Sequence, residues 1–196
     1  MADTGRDRRT TRGPGPRSLR VLVPVALAAL FVLGAYTWLG RIYTVSTGSM
    51  KPTLDPGDRV LASRIGREDV RRGDVVVVDV RGTWAQRGSD DDPTVVKRVV
   101  GLPGERVACC DDLGRVTIDG RPLDEPYVDG GDLGGTFEAV VPEGRLWLMG
   151  DDRDDSVDSR DHVGSPGGGS VPVEAVLGRV VAVWWPPARV VGRPAG

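Results

Sequence analysis

Between residues 46 and 54 the chain reads Ser46-Thr47-Gly48-Ser49-Met50-Lys51-Pro52-Thr53-Leu54, and three hydroxyl groups, those of Ser46, Thr47 and Ser49, crowd around one glycine. The chemistry open to such a cluster is nucleophilic attack on a carbonyl carbon, provided that a neighbouring base takes the hydroxyl proton. Taken alone, the stretch also reads as an ordinary Ser/Thr/Gly loop that closes at Pro52 and is poor in packing volume. For a base, the chain offers one histidine, His162, and among its 26 basic residues only Lys51 and Lys97 are lysines. An arginine is not deprotonated in a protein whereas a desolvated lysine is, so the two lysines of this arginine-rich chain attract notice.

In Thr94-Val95-Val96-Lys97-Arg98-Val99-Val100, a strand places Lys97 on the face of Val95 and Val99. Apolar neighbours favour the neutral amine. Lowering a lysine pKa from about 10.4 to about 7 or 8 corresponds to roughly 3 to 5 kcal/mol. The alternative is a strand lysine whose methylene stem carries the ammonium out to water. Lys51 shares the side of Ser49 in an extended segment, but it precedes Pro52 and the turn-forming Asp55-Pro56-Gly57, where water keeps an ammonium charged. His162, in the polar stretch Arg160-Asp161-His162-Val163-Gly164, reads as solvated. The acidic run Gly150-Asp151-Asp152-Arg153-Asp154-Asp155-Ser156-Val157-Asp158 suggests calcium, but counting from Asp152 puts Val157 where the EF-hand loop needs its glycine. No metal site is expected. Asp158 and Arg160, two apart, lie on one side of an extended segment and are placed to pair.

The elements that must position these groups read as β. Short Val-rich runs at 58–62, 74–80, 94–100, 115–118, 145–149 and 178–184 are bounded by Gly, Pro or Asp. Asp119-Gly120 marks a tight turn within a hairpin. Residues 82–93, with Asp90, Asp91 and Asp92 in a row, read as an exposed loop, and 164–170 as a mobile glycine-rich one.

Ahead of this domain, residues 1–20 hold Arg6, Arg8, Arg9, Arg12, Arg17 and Arg20 against Asp3 and Asp7, a basic tail. Residues 21–40 contain no charged side chain, and a helix of that length spans a hydrocarbon core of about 30 Å. Tyr36 and Trp38 near its end and the arginines before it predict an uncleaved anchor, its N-terminus cytoplasmic and residues 41–196 extracytoplasmic. A cleaved signal peptide is the competing reading, but the apolar run is too long and no small-x-small site follows. Ser49 then works within about 30 Å of the bilayer, the reach of nine extended residues.

The net charge of -2 argues against nucleic acid as a partner. With 28 glycines and 15 prolines in 196 residues, the chain reads as globular and rich in turns. The two cysteines, Cys109 and Cys110, are adjacent. Neighbouring Cα atoms about 3.8 Å apart are too close for an unstrained bridge, so none is expected.

Four blocks in order resemble the bacterial type I signal peptidases, membrane-anchored Ser/Lys endopeptidases: Thr47-Gly48-Ser49-Met50-x-Pro52-Thr53-Leu54; Gly73-Asp74-Val75-Val76; Lys97-Arg98-Val99-x-Gly101-x-Pro103-Gly104; and Gly150-Asp151-x-Arg153-x-x-Ser156-x-Asp158-Ser159-Arg160. Weaker likenesses at 120–128 and 185–187 extend the match over most of 41–187. The resemblance implies Ser49 as nucleophile, Lys97 as general base, Ser156 orienting the lysine amine, Thr47 helping to hold the oxyanion, and Asp158 with Arg160 as a structural ion pair. It implies an all-β fold of twisted antiparallel sheets, with a smaller β-rich insertion at about 105–145 and one N-terminal transmembrane helix. It further implies no cofactor, and a monomer that acts on signal-peptide-bearing preproteins at the lipid bilayer. Asp152 departs from the family's usual Asn, which bears on hydrogen bonding in its loop. Two other readings stand beside this one: another Ser/Lys protease of the same general design, such as a self-cleaving repressor or a membrane-anchored maturation peptidase, and a catalytically silent tethered β domain that binds export partners.

Overall fold

The structure is a computed structural model that describes residues 23–28, 30, 40–63, 70–84, 93–128, 131, 133–186 and 189–191. The chain divides into two compact units, residues 1–39 and 40–196. In the first, residues 23–28 and 30 are helical, while the remainder of the expected 21–40 span and the basic tail lie outside the described residues. Among the described residues no helix is long and apolar enough to cross a membrane.

The second unit is built from antiparallel strands. These are β1 (Arg41–Thr44), β2 (Arg59–Ser63), β3 (Val75–Asp79), β4 (Thr94–Gly101), β5 (Arg106–Cys109), β6 (Val116–Ile118), β7 (Arg121–Pro122), β8 (Phe137–Val140), β9 (Arg145–Met149), β10 (Val171–Pro172), β11 (Val176–Trp185) and β12 (Arg189–Val190). The larger sheet runs β1-β2-β11-β3-β4-β9-β10, with β12 added to β11. The smaller runs β7-β6-β5-β8.

The four consecutive valines of β3 explain the core. A strand covered on one face alternates apolar and polar side chains, whereas one covered on both is apolar throughout. Val75 and Val77 face a cluster with Val45, Met50, Leu54, Val60, Ala62, Val180 and Val183. Val76 and Val78 face a second cluster with Val80, Trp84, Val99, Leu146, Leu148 and Val171. The large sheet is thus packed on both sides. A third cluster, of Val100, Val107, Val116, Ile118, Val141, Trp147 and Met149, ties the small sheet to β4 and β9.

All six expected strands are present within a residue or two, but β1, β5, β7, β8, β10 and β12 carry little periodic signal. In β1 no side chain is fully buried, and β8 alternates only between half-buried and exposed positions. The hairpin turn between β6 and β7 is where it was expected, with Asp119 at φ 51° and Gly120 at φ 76°, both left-handed as a tight hairpin turn requires.

Two expectations are corrected. Cys109 and Cys110 do form a disulfide. Their peptide bond is cis, with Cα atoms 3.0 Å apart, where the expectation had assumed a trans bond. The loop at 82–93 is not wholly exposed, since Thr83 and Trp84 are buried; residues 85–92 lie outside the described residues. Residues 164–170 are held by a relay of turn hydrogen bonds, Ser165 N to His162 O, Gly168 N to Ser165 O and Ser170 N to Gly167 O. The Arg145 guanidinium also donates to Ser170 O at 2.6 Å.

Candidate active site

The turn that presents Ser49 is fixed from within and from below. Lys51 N donates to Gly48 O at 2.9 Å and Leu54 N to Met50 O at 2.8 Å, closing a helical-type turn. Met50 and Leu54 are essentially inaccessible in the first core cluster, so this stretch supplies core volume after all. The side chains that carry that volume flank the hydroxyl cluster and anchor it. Ser49 is buried, and its hydroxyl lies 3.1 Å from that of Thr47. Lys51 points outward and is exposed.

Lys97 projects from β4 on the face of Val95 and Val99. It is buried, and desolvation lowers its pKa to about 8. The Asp158 carboxylate pulls the value back up, and the Arg160 guanidinium pushes it down again. The amine donates to Ser156 Oγ at 2.9 Å. Ser156 Oγ in turn donates to Asp158 Oδ2 at 2.7 Å, and Gly150 N donates to the same oxygen at 3.0 Å. Arg160 grips Asp158 in a fork, Nε to Oδ1 and Nη2 to Oδ2, both at 2.9 Å. Burial works against the Asp158 charge, but these bonds and the Arg160 charge hold its carboxyl below the usual range. An ionised carboxylate only accepts, so the Ser156 proton is committed to Asp158 and its oxygen is left to accept from Lys97.

Several residues with no role assigned from the sequence hold the two halves of this site in register. Arg98, on the opposite face of β4 from Lys97, donates through Nε to Asp151 Oδ1 at 2.7 Å and through Nη2 to Oδ2 at 2.6 Å. Thr53, beyond the Ser49 turn, donates to Asp151 Oδ2 at 2.6 Å, and Asp152 N donates to Ser49 O at 3.1 Å. The 150–160 loop therefore clasps both the hydroxyl turn and β4. Gly150 sits in the tightest part of the clasp: a Cβ there would lie 2.2 Å from Ser156 Oγ and 2.4 Å from Ser49 O. The departure at Asp152 is accommodated, since its Oδ1 accepts from Asp155 N at 3.3 Å as an amide oxygen would. Asp151, Asp152 and Asp158 of the acidic run are engaged by these partners, and among the described residues no three of His, Cys, Asp and Glu gather as a metal would need.

Ser49 and Lys97 line one cavity of about 850 Å³, whose walls include β1, the Ser49 turn, Thr94 to Lys97 of β4, and Asp155, Asp161 and His162. Beyond Lys97, β4 pairs with β9 from Arg98 onward; over Val95 to Lys97 it pairs with β3 on one side, and no described strand occupies the other edge. His162 is not merely solvated: it lines this cavity half-buried, its ring stacked on Trp84 with centroids 4.8 Å apart and planes 10° from parallel. Burial lowers its pKa.

The family model described as "Signal peptidase, peptidase S26" matches residues 18–185. The chain belongs to that family. Among similar proteins, signal peptidase I of Mycobacterium tuberculosis is 32% identical over 219 residues, covering 88% of this chain and 74% of that one. Signal peptidase I of Leptolyngbya laminosa is 32% identical over 168 residues, covering 85% and 79%. Signal peptidase IB of Staphylococcus aureus is 30% identical over 186 residues, covering 85% and 87%. A solved signal peptidase I from Enterococcus faecalis matches 57% of this chain and 97% of that one, at 26% identity and a TM-score of 0.43. As an S26 signal peptidase, the chain is a peptidase, a serine hydrolase.

Proposed function

We propose that this chain is a membrane-anchored serine endopeptidase that removes N-terminal signal peptides from exported preproteins, with Ser49 as nucleophile and Lys97 as general base. The observation that carries the reading is the buried relay Lys97–Ser156–Asp158–Arg160, which opens on the cavity that Ser49 also lines. A neutral amine has two hydrogens and one lone pair. With one hydrogen held by Ser156, the lone pair is free to take the Ser49 proton. Ser49 Oγ then bonds to the scissile carbonyl carbon, and the oxyanion that forms is held by the Ser49 backbone N–H and the Thr47 hydroxyl. The Lys97 ammonium returns its proton to the departing amine nitrogen as the C–N bond breaks. Water, deprotonated by Lys97, then bonds to the ester carbon, and the ammonium returns that proton to Ser49 Oγ as the acyl–oxygen bond breaks.

The edge of β4 over Val95 to Lys97, which no described strand occupies, suits a substrate bound as an added strand, whose alternate side chains enter pockets. Small residues are expected at -1 and -3 from the scissile bond, with -2 directed away from those pockets. The tail 1–20 is placed in the cytoplasm, 21–40 in the bilayer, and the 41–196 domain outside, acting as a monomer on preproteins at the membrane surface. Exposed Trp184 and Trp185 at the end of β11 support a position beside the bilayer, since amphipathic rings favour that interface. The experiment is incubation of detergent-solubilised protein with a labelled preprotein. Wild type is expected to release the signal peptide and Ser49→Ala to release none; cleavage that persists in Ser49→Ala overturns the reading.

A further inference from the structure

Trp84 and His162 lie 78 positions apart in sequence, and the mechanism above uses neither, yet both form part of the cavity wall. Trp84 is fixed: it is buried in the second core cluster, and its indole N–H donates to Gly169 O at 2.8 Å. Its ring backs the half-exposed imidazole of His162. A planar surface with a rigid support therefore borders the space in front of Lys97.

The two faces of β4 decide which part of a substrate meets that surface. Val95, Lys97 and Val99 share the face on which Trp84 packs, whereas Val96 packs with Val45 and Met50 on the other. A strand added to β4 sends successive side chains to alternate faces. The apolar wall of Val45, Met50 and Val96 suits small side chains at -1 and -3, which leaves -2 on the side of Trp84 and His162. We infer that the Trp84–His162 stack is a specificity-determining surface for the substrate residue at -2, favouring planar aromatic side chains there. This rests on the strand-binding reading of the site given above. Offset or edge contacts between such rings are favourable beyond the area they bury. Asp155 and Asp161, both exposed on the cavity wall, disfavour an acidic side chain at the same place.

The test uses two capped peptides that differ only at -2, Phe against Ala, with Ala at -1 and -3, assayed at pH 7 where the His162 ring is neutral. Wild type is expected to cleave the Phe peptide with a kcat/KM roughly three- to tenfold higher, the range of one aromatic contact. In His162→Ala that ratio should fall to about one, and in His162→Phe, which keeps a ring against Trp84, it should stay well above one. The ratio is the readout because a merely structural defect lowers both peptides together. A wild-type ratio of one, an undiminished ratio in His162→Ala, or loss of the ratio in His162→Phe overturns the inference while the catalytic reading stands. Failure of wild type to cut either peptide overturns both.

Discussion

If Lys97 is the base, activity must follow its deprotonation, and the structure sets where that happens. Burial lowers the Lys97 pKa from 10.5 to about 8. That shift corresponds to about 3 kcal/mol of preference for the neutral amine, and at pH 7 it raises the base-competent fraction from roughly 0.03% to roughly 9%, about 300-fold. The sign is that of a depressed basic group: the ammonium is lost as pH rises through the folded value, so kcat/KM should climb about tenfold per unit between pH 5.5 and 7 and level off above about 8.5. The assay is initial-rate cleavage of a capped peptide without His or Cys, so that only the enzyme titrates. His162 is the internal control, because burial places its pKa below the ordinary 6.5. A midpoint below 6.5 assigns the base to His162, and a profile still rising about tenfold per unit at pH 9 means that Lys97 is not desolvated; either result refutes the reasoning.

The two lysines should separate. Lys97→Arg keeps the charge but has no lone pair to offer and should lose roughly a hundred- to ten-thousandfold in kcat/KM, the cost of losing a general base. Lys51→Arg, at an exposed position outside the cavity wall, should retain most of the activity in the same peptide assay. Gly150→Ala should displace Ser156 from between Lys97 and Asp158, since a methyl there meets Ser156 Oγ at 2.2 Å. Overpacking of this kind costs about 1 to 3 kcal/mol, so a thermal melt should show reduced stability and peptide cleavage should fall more than tenfold. Unchanged melting and turnover would mean that the Gly150 clasp does not position the relay.

How much of this was legible in the sequence follows from how local each signal is. The face of Lys97 could be read from the alternation of Val95, Lys97 and Val99, and the Val-rich run at 74–80 as a strand, though not that it is covered on both sides. Asp158 and Arg160 are two residues apart and pair as an extended segment allows. Groups joined across the fold left no such trace. Arg98 meets Asp151 over 53 positions, and Trp84 meets Gly169 over 85. The choice of Ser49 over Ser46 rested on family resemblance, because hydroxyl content alone does not show which oxygen turns inward; in the structure Ser46 is exposed and Ser49 buried. His162 reads as solvated because its neighbours Asp161, Val163 and Gly164 are exposed, while its ring leans on a tryptophan from another loop, a contact with no trace in the local sequence.

The most direct measurement is of the covalent intermediate. Wild-type protein turning over a labelled substrate is quenched in acid, digested, and analysed by mass spectrometry for the acyl group. An ester on Ser49, absent from Lys97→Arg treated in the same way, is the predicted result. The acyl group on another residue, or turnover in Ser49→Ala comparable to that of wild type, would contradict the assignment of Ser49 and Lys97 as the pair that breaks the peptide bond.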